Sequence, residues 1–259
     1  MNRRRKLKLS DVRSMLETEA ARRNDLSELS YEKPDPLFVA SRWKDESVAL
    51  ICALFAYGNA GQIVKFLESL DFALLDASEK EISVLLQKHY YRFQKPEDVA
   101  ALFIALKRLK EIESIEDLFY EGYRKEGNIL NGLWHFIGTL RRVYPHTSYG
   151  YDFLTGKIPK NPASAGTYKR YMMYLRWMVR DDALDMGLWS KIKKRDLLMP
   201  LDTHTFTVAK KLKLLKRKSY DMKAVIELTE VFRGWDSEDP VKYDFALYRI
   251  GQEKILSIH

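Results

Sequence analysis

Asp202 stands at the head of a helical pattern in Pro200-Leu201-Asp202-Thr203-His204-Thr205-Phe206-Thr207-Val208-Ala209-Lys210-Lys211-Leu212. Val208, Leu212 and Leu215 form one apolar face, while Lys210, Lys213 and Arg217 lie on another side. At this position Asp202 is an N-cap, whose carboxylate accepts backbone N–H bonds. A carboxylate fixed there can also face a cleft, stabilise a developing cation or relay a proton. The two roles are compatible. Thr203 and His204 flank it as supporting residues. No second His or carboxylate stands at ligand spacing from His204, so no metal is assigned.

A second group lies in Ser164-Ala165-Gly166-Thr167-Tyr168-Lys169-Arg170, which runs into a Tyr/Met/Trp-rich helical segment ending at Arg180. At about 100° per residue, Lys169, Arg176 and Arg180 share a narrow stripe on an otherwise apolar helix. That stripe is either a solvated edge or a row of phosphate contacts. Lys169 has a further chemistry. Burial, the positive helix start and neighbouring Arg170 each favour the uncharged amine, which can attack a sugar C1′ and form a Schiff base. A third group is the break Ala56-Tyr57-Gly58-Asn59-Ala60-Gly61-Gln62. It is a helix–helix corner, or a site where Tyr57, Asn59 and Gln62 offer a ring and two amides to a base.

Helices must position these groups, and helical periodicity dominates the chain. Ser10 caps a helix through Arg23. An apolar helix runs from Asp45 to Tyr57, and the chain resumes as Gln62 to Leu70. Ser78-Glu79-Lys80-Glu81 is a capping box, and Pro96 opens a further helix. Others are expected near 115–124, 128–143, 167–180, 203–215, 220–233 and 240–250, the last capped by Asp239 with Pro240 at N1. Tyr144 to Gly166 reads as the longest non-helical stretch. Few or no strands are expected. The fold class is all-α, with two helical subdomains enclosing a basic cleft. One spans 45–143; the other combines 1–44 with 144–259 and carries Lys169 and Asp202.

Of 259 residues, 46% are hydrophobic and 31% charged, as in folded domains. Lys and Arg number 44 against 36 acidic residues, a balance that favours polyanionic partners. Cys52 is the one cysteine, so no disulfide or iron–sulfur framework is available, and it reads as a small core side chain. Met1 to Lys8 is basic without an apolar h-region, no run of about 18 apolar residues occurs, and the cytoplasm is the expected location. Phosphate-binding glycine loops, H-E-x-x-H and G-x-S-x-G are absent.

The segment PLDTHTFTVAKKLKLL resembles the catalytic-aspartate segment of the helix-hairpin-helix (HhH-GPD) DNA glycosylases, the endonuclease III superfamily. YDFALYRIGQ, residues 243–252, is similar to a later helix of that fold, and ALFAYGNAGQIVKFLESL resembles its early helix–turn–helix. The chain also resembles a bacterial family with a PLDTH signature. The resemblance implies Asp202 as catalytic aspartate and Lys169 as the nucleophilic lysine of the bifunctional branch. It departs in two places. NPASAGTYK replaces the L-P-G-V/I-G-x-K hairpin, at a spacing closer to the archaeal 8-oxoguanine glycosylase branch, and the iron–sulfur cysteines are missing. The activity implied is excision of a damaged base, such as an oxidised purine, with or without AP-lyase activity. No cofactor is implied. DNA is the implied partner, with Arg170, Arg176, Arg180, Lys210, Lys213, Tyr57, Asn59 and Gln62 as candidate contacts. A non-catalytic nucleic-acid-binding protein and a helical protein-interaction module are the alternatives.

Overall fold

Short polar side chains set most helix starts. Asp45 accepts from the amides of Ser47 (2.8 Å) and Val48 (2.9 Å), opening α3 (Glu46–Leu54), in which Ser47 to Leu54 are all buried. The computed structural model describes residues 8–161 and 165–253. Among these are thirteen α-helices and no strand, with isolated bridges at Tyr91–Gln94 and Asp181–Met186. The protein is all-α. In chain order the helices before the site are α1 (Leu9–Arg23), α2 (Pro36–Trp43), α3, α4 (Ala60–Ser69), α5 (Glu79–Leu85), α6 (Pro96–Lys110), α7 (Ile115–Tyr123), α8 (Ile129–Val143) and α9 (Tyr149–Thr155). Then come α10 (Lys169–Val179), α11 (Thr203–Lys211), α12 (Met222–Arg233) and α13 (Asp244–Gln252). Helix α3 packs on α2 and α10, α13 packs on α1 and α11, and α7 pairs with α8. At Gly132 of α8 a Cβ would stand 2.5 Å from the Phe119 ring, so glycine permits that approach. Cys52 is fully buried in α3, and burial pushes its thiol far up.

Several starts differ from the sequence expectations. Lys8, not Ser10, caps α1. The stretch 144–166 is not free of helix. Ser148 opens α9 by accepting from the Tyr151 amide (2.9 Å), and its hydroxyl donates to buried Asp98, which also lies 2.9 Å from His146 Nε2. Helix α11 stops at Lys211, with Lys213 left-handed at φ 60°. Asp239-Pro240 does not start the last helix; the Asp239 carboxylate instead receives Arg180 Nε (3.0 Å).

The cationic stripe of α10 is the largest correction. Arg176 is 4% exposed, and its guanidinium pairs with Asp244 of α13 and with Asp185 (3.1 Å). Arg180 pairs with Asp185, Asp182 (2.8 Å) and Asp239. Arg170 donates to the carbonyls of Leu54 and Phe153 and lies against the Tyr57 and Phe153 rings. All three bind protein acceptors and are not free phosphate contacts. Buried charge is stable only when paired, so removing one partner strands the others. Arg176→Met is expected to lose about 3–5 kcal/mol of folding stability in denaturant titration. A loss below about 1 kcal/mol would mean the network is not what holds α10 to α13.

Candidate active site

Lys169 is the first residue of α10, and Tyr168 before it is left-handed at φ 46°. Tyr168 is fixed there by its hydroxyl, which donates to the Lys157 carbonyl (2.5 Å), and by the Trp134 ring edge at 4.8 Å. The turn places Lys169 on the wall of a cavity of about 730 Å³. Asp202 caps α11 as expected: its Oδ1 accepts from the Thr205 amide (2.7 Å), and Thr205 Oγ1 in turn accepts from the Asp202 amide (3.0 Å). Among the described residues no hydrogen bond reaches Asp202 Oδ2, and Lys169 has no ion-pair partner. Asp202 and Lys169 are half-buried and line the same cavity.

Thr203, His204, Arg170, Arg176 and Tyr57 also reach this cavity. Thr203 and His204 are exposed at its edge. A Cβ at Gly251 would come 2.3 Å from His204 Nε2, so this glycine lets the imidazole lie against α13. Tyr57 presents its ring, while its hydroxyl donates to Gln94; burial pushes that hydroxyl up. Asn59 caps α4 through the Gln62 amide (3.1 Å), and Asn59, Gln62, Arg180, Lys210 and Lys213 do not line the cavity. Of the turn 164–167, Ser164 lies outside the described residues. Ala165 accepts from the Met222 amide (3.0 Å).

Asp35, Asp244, Tyr248 and Tyr220 are among the lining residues that had no sequence assignment. Asp35 caps α2, accepting from the Leu37 amide (2.9 Å), and Asp35-Pro36 was a readable cap signal. Asp244 is 7% exposed, with Oδ2 on Arg176. Burial pushes its carboxyl up, against the pull of the Arg176 and Lys169 charges. Tyr248 of α13 lies on the same wall. Tyr220 joins the two halves of the site. Its hydroxyl donates to the Leu201 carbonyl (2.9 Å), next to Asp202, and lies 3.0 Å from Thr167 Oγ1, two residues before Lys169. No local pattern announces such a bridge between segments far apart in sequence.

The arrangement is a primary amine and a carboxylate facing one aromatic-walled cavity, of a size that holds a small heterocycle. The chain belongs to the family described as "Protein of unknown function (DUF2400)", whose model matches residues 35–253. No curated protein and no solved structure matches it. Among the described residues no helix is long and apolar enough to cross a membrane.

Because Asn caps helices about as well as Asp, the two roles of Asp202 separate by mutation. Asp202→Asn is expected to keep stability within about 0.5 kcal/mol, while Asp202→Ala loses about 1 kcal/mol. Equal losses in thermal or denaturant unfolding would contradict the capping role. Tyr220→Phe is expected to lose about 1 kcal/mol through the missing hydroxyl bond to Leu201; an unchanged unfolding midpoint would remove Tyr220 as the bridge.

Proposed function

We propose that this protein is a DNA base-excision glycosylase with AP-lyase activity, on a fold of the helix-hairpin-helix glycosylase type. The observation that carries the reading is that Lys169 and Asp202 line one cavity. The target nucleotide flips out of the duplex into it, at a cost of a few kcal/mol. The Lys169 amine attacks C1′ as the C1′–N bond breaks, and the base departs with the bonding electrons and takes up a proton. The Asp202 carboxylate stabilises the cationic sugar, and the amine adduct then opens to a Schiff base.

The exterior supports a nucleic-acid partner. Lys210, Lys211, Lys213, Lys216 and Lys218 are exposed on α11 and the segment after it, and among the described residues none of their ammonium groups is in an ion pair. Exposed Phe93 stacks parallel to Tyr57 at 6.2 Å, with exposed Tyr149 edge-on at 5.9 Å, which makes an aromatic surface beside the cavity. Stacking on such rings is sequence-tolerant. Lys210 and Lys213 therefore remain candidate phosphate contacts.

Borohydride trapping on abasic and base-damaged duplexes tests the chemistry. The wild type is expected to form a covalent adduct, Lys169→Gln to form none, and Asp202→Asn to release base about 10²-fold or more slowly with its fold retained. Trapping that survives Lys169→Gln would remove the lysine from its role. Replacing Lys210, Lys211 and Lys213 with Ala is expected to weaken duplex binding and flatten its salt dependence by about 0.9 per lost phosphate contact. Duplex binding that is strong at moderate salt without any base release would favour a non-catalytic binder.

A further inference from the structure

Asp244 is a carboxylate the glycosylase reading above leaves without a task. It is 7% exposed, lines the cavity, and directs Oδ2 at Arg176 of α10. Among the described residues, no hydrogen bond reaches its Oδ1. Arg176 cannot turn away, because Asp185 holds it from the other side and Arg180 holds Asp185. A buried carboxylate of the cavity wall, pinned at one oxygen and without a hydrogen bond at the other, is poised to accept a proton or a donor from that cavity. The charged groups that act on it are Arg176 and Lys169 from α10 and Asp202 from the segment before α11. The other titratable groups of the lining are Asp35, His204, Arg170 and the phenols of Tyr57, Tyr168, Tyr171, Tyr220 and Tyr248. Of the two cations, Arg176 is fully engaged and keeps its charge in any accessible pH range. Lys169 is the one that can give up a proton, and its charge acts on Asp244 within the cavity that both residues line.

We propose that Asp244 is the proton acceptor of Lys169, a positioning and proton-holding residue distinct from Asp202. The inference rests on the glycosylase reading. The Lys169 ammonium passes one proton to Asp244 Oδ1. The freed lone pair forms the N–C1′ bond while the C1′–N bond to the base breaks. The electron pair leaves with the base, and the proton held on Asp244 returns to it. Asp202 faces the cationic sugar and takes no part in this transfer. Two carboxylates so divide two tasks: one faces charge developing on the sugar, the other holds the proton. The burial that disfavours ionised Asp244 suits an oxygen that must carry a proton during the reaction.

The test has one arm without DNA and one with it. In full-length protein carrying ¹³Cγ-labelled aspartate, the Asp244 resonance is titrated by NMR. Lys169→Gln removes a cation that acts on Asp244, so its midpoint is expected to rise; Asp202→Asn removes an anion, so it is expected to fall. An Asp244 midpoint indifferent to Lys169→Gln overturns the pair. In the second arm, the rate of borohydride trapping on an abasic duplex is measured against pH. Asp244→Asn is expected to slow trapping about 10²-fold or more and to abolish the acid limb of the profile, with Asp244→Glu restoring part of the rate. A structural role alone would lower the rate without changing the limb. Trapping by Asp244→Asn at the wild-type rate overturns the proposal. A wild type that never traps, with the titration response intact, overturns the lyase reading and leaves the Lys169–Asp244 pair standing.

Discussion

The ion pair between Arg176 and Asp244 is the contact on which the interior depends. It joins the middle of α10 to the first residue of α13, and both groups are removed from water. A buried pair of this kind gains little over an apolar pair, because desolvation offsets most of the attraction. What it adds is geometry. A guanidinium with two fixed carboxylate partners admits one rotation of α10 and one placement of α13. That rotation sets where Lys169, about two turns earlier on the same helix, enters the cavity. Asp185 and Arg180 carry the alternation of charge on to Asp239, next to Pro240. The same network therefore fixes the loop that leads into α13.

A second constraint acts across the cavity. Lys169 and Asp202 sit on different helix starts, and helix starts are only as well placed as the turns before them. Tyr220 addresses both turns at once through Leu201 and Thr167, and the Met222 amide adds a third tie at Ala165. The segment entering α12 thereby holds the amine-bearing and carboxylate-bearing turns in one frame. None of its own groups needs to touch a ligand for this to matter. A shift of about 1 Å in such a pair is enough to cost a large factor in rate.

Local signals in the sequence located what is local in the structure. The Ser78 capping box, the apolar run of α3 with Cys52 inside it, and Asp202 as a cap all depend on residues within one or two turns. The larger failures are cases where a distant partner decided. Asp35-Pro36 and Asp239-Pro240 carry the same dipeptide; the first opens α2, and the second does not open a helix because Asp239 is bound to Arg180. The stripe Lys169, Arg176, Arg180 was legible as a periodicity, but not the carboxylates that reach it from elsewhere in the chain. Helix α9 went unread because buried Asp98, fifty residues earlier, anchors Ser148 at its start. The candidate site follows the same rule. Asp202 and Lys169 stand out in their segments and line one cavity, while Asp244 and Tyr220 gain meaning only from what folds against them.

These constraints also explain how one side chain can cap a helix and still face a cavity. The cap engages Oδ1 alone, through the Thr205 amide and hydroxyl. Those bonds fix the plane of the carboxylate and leave Oδ2 as an acceptor in a set direction. Asp244 repeats the device by another route, with a guanidinium in place of helix amides. The two carboxylates thus line the same cavity as Lys169, one from the start of α11 and one from α13, each held by groups that keep it from rotating. Their environments differ: Asp202 is half-exposed and Asp244 is buried. Burial pushes the Asp244 carboxyl up, which suits a group that is to take and return a proton beside a second carboxylate with a different task.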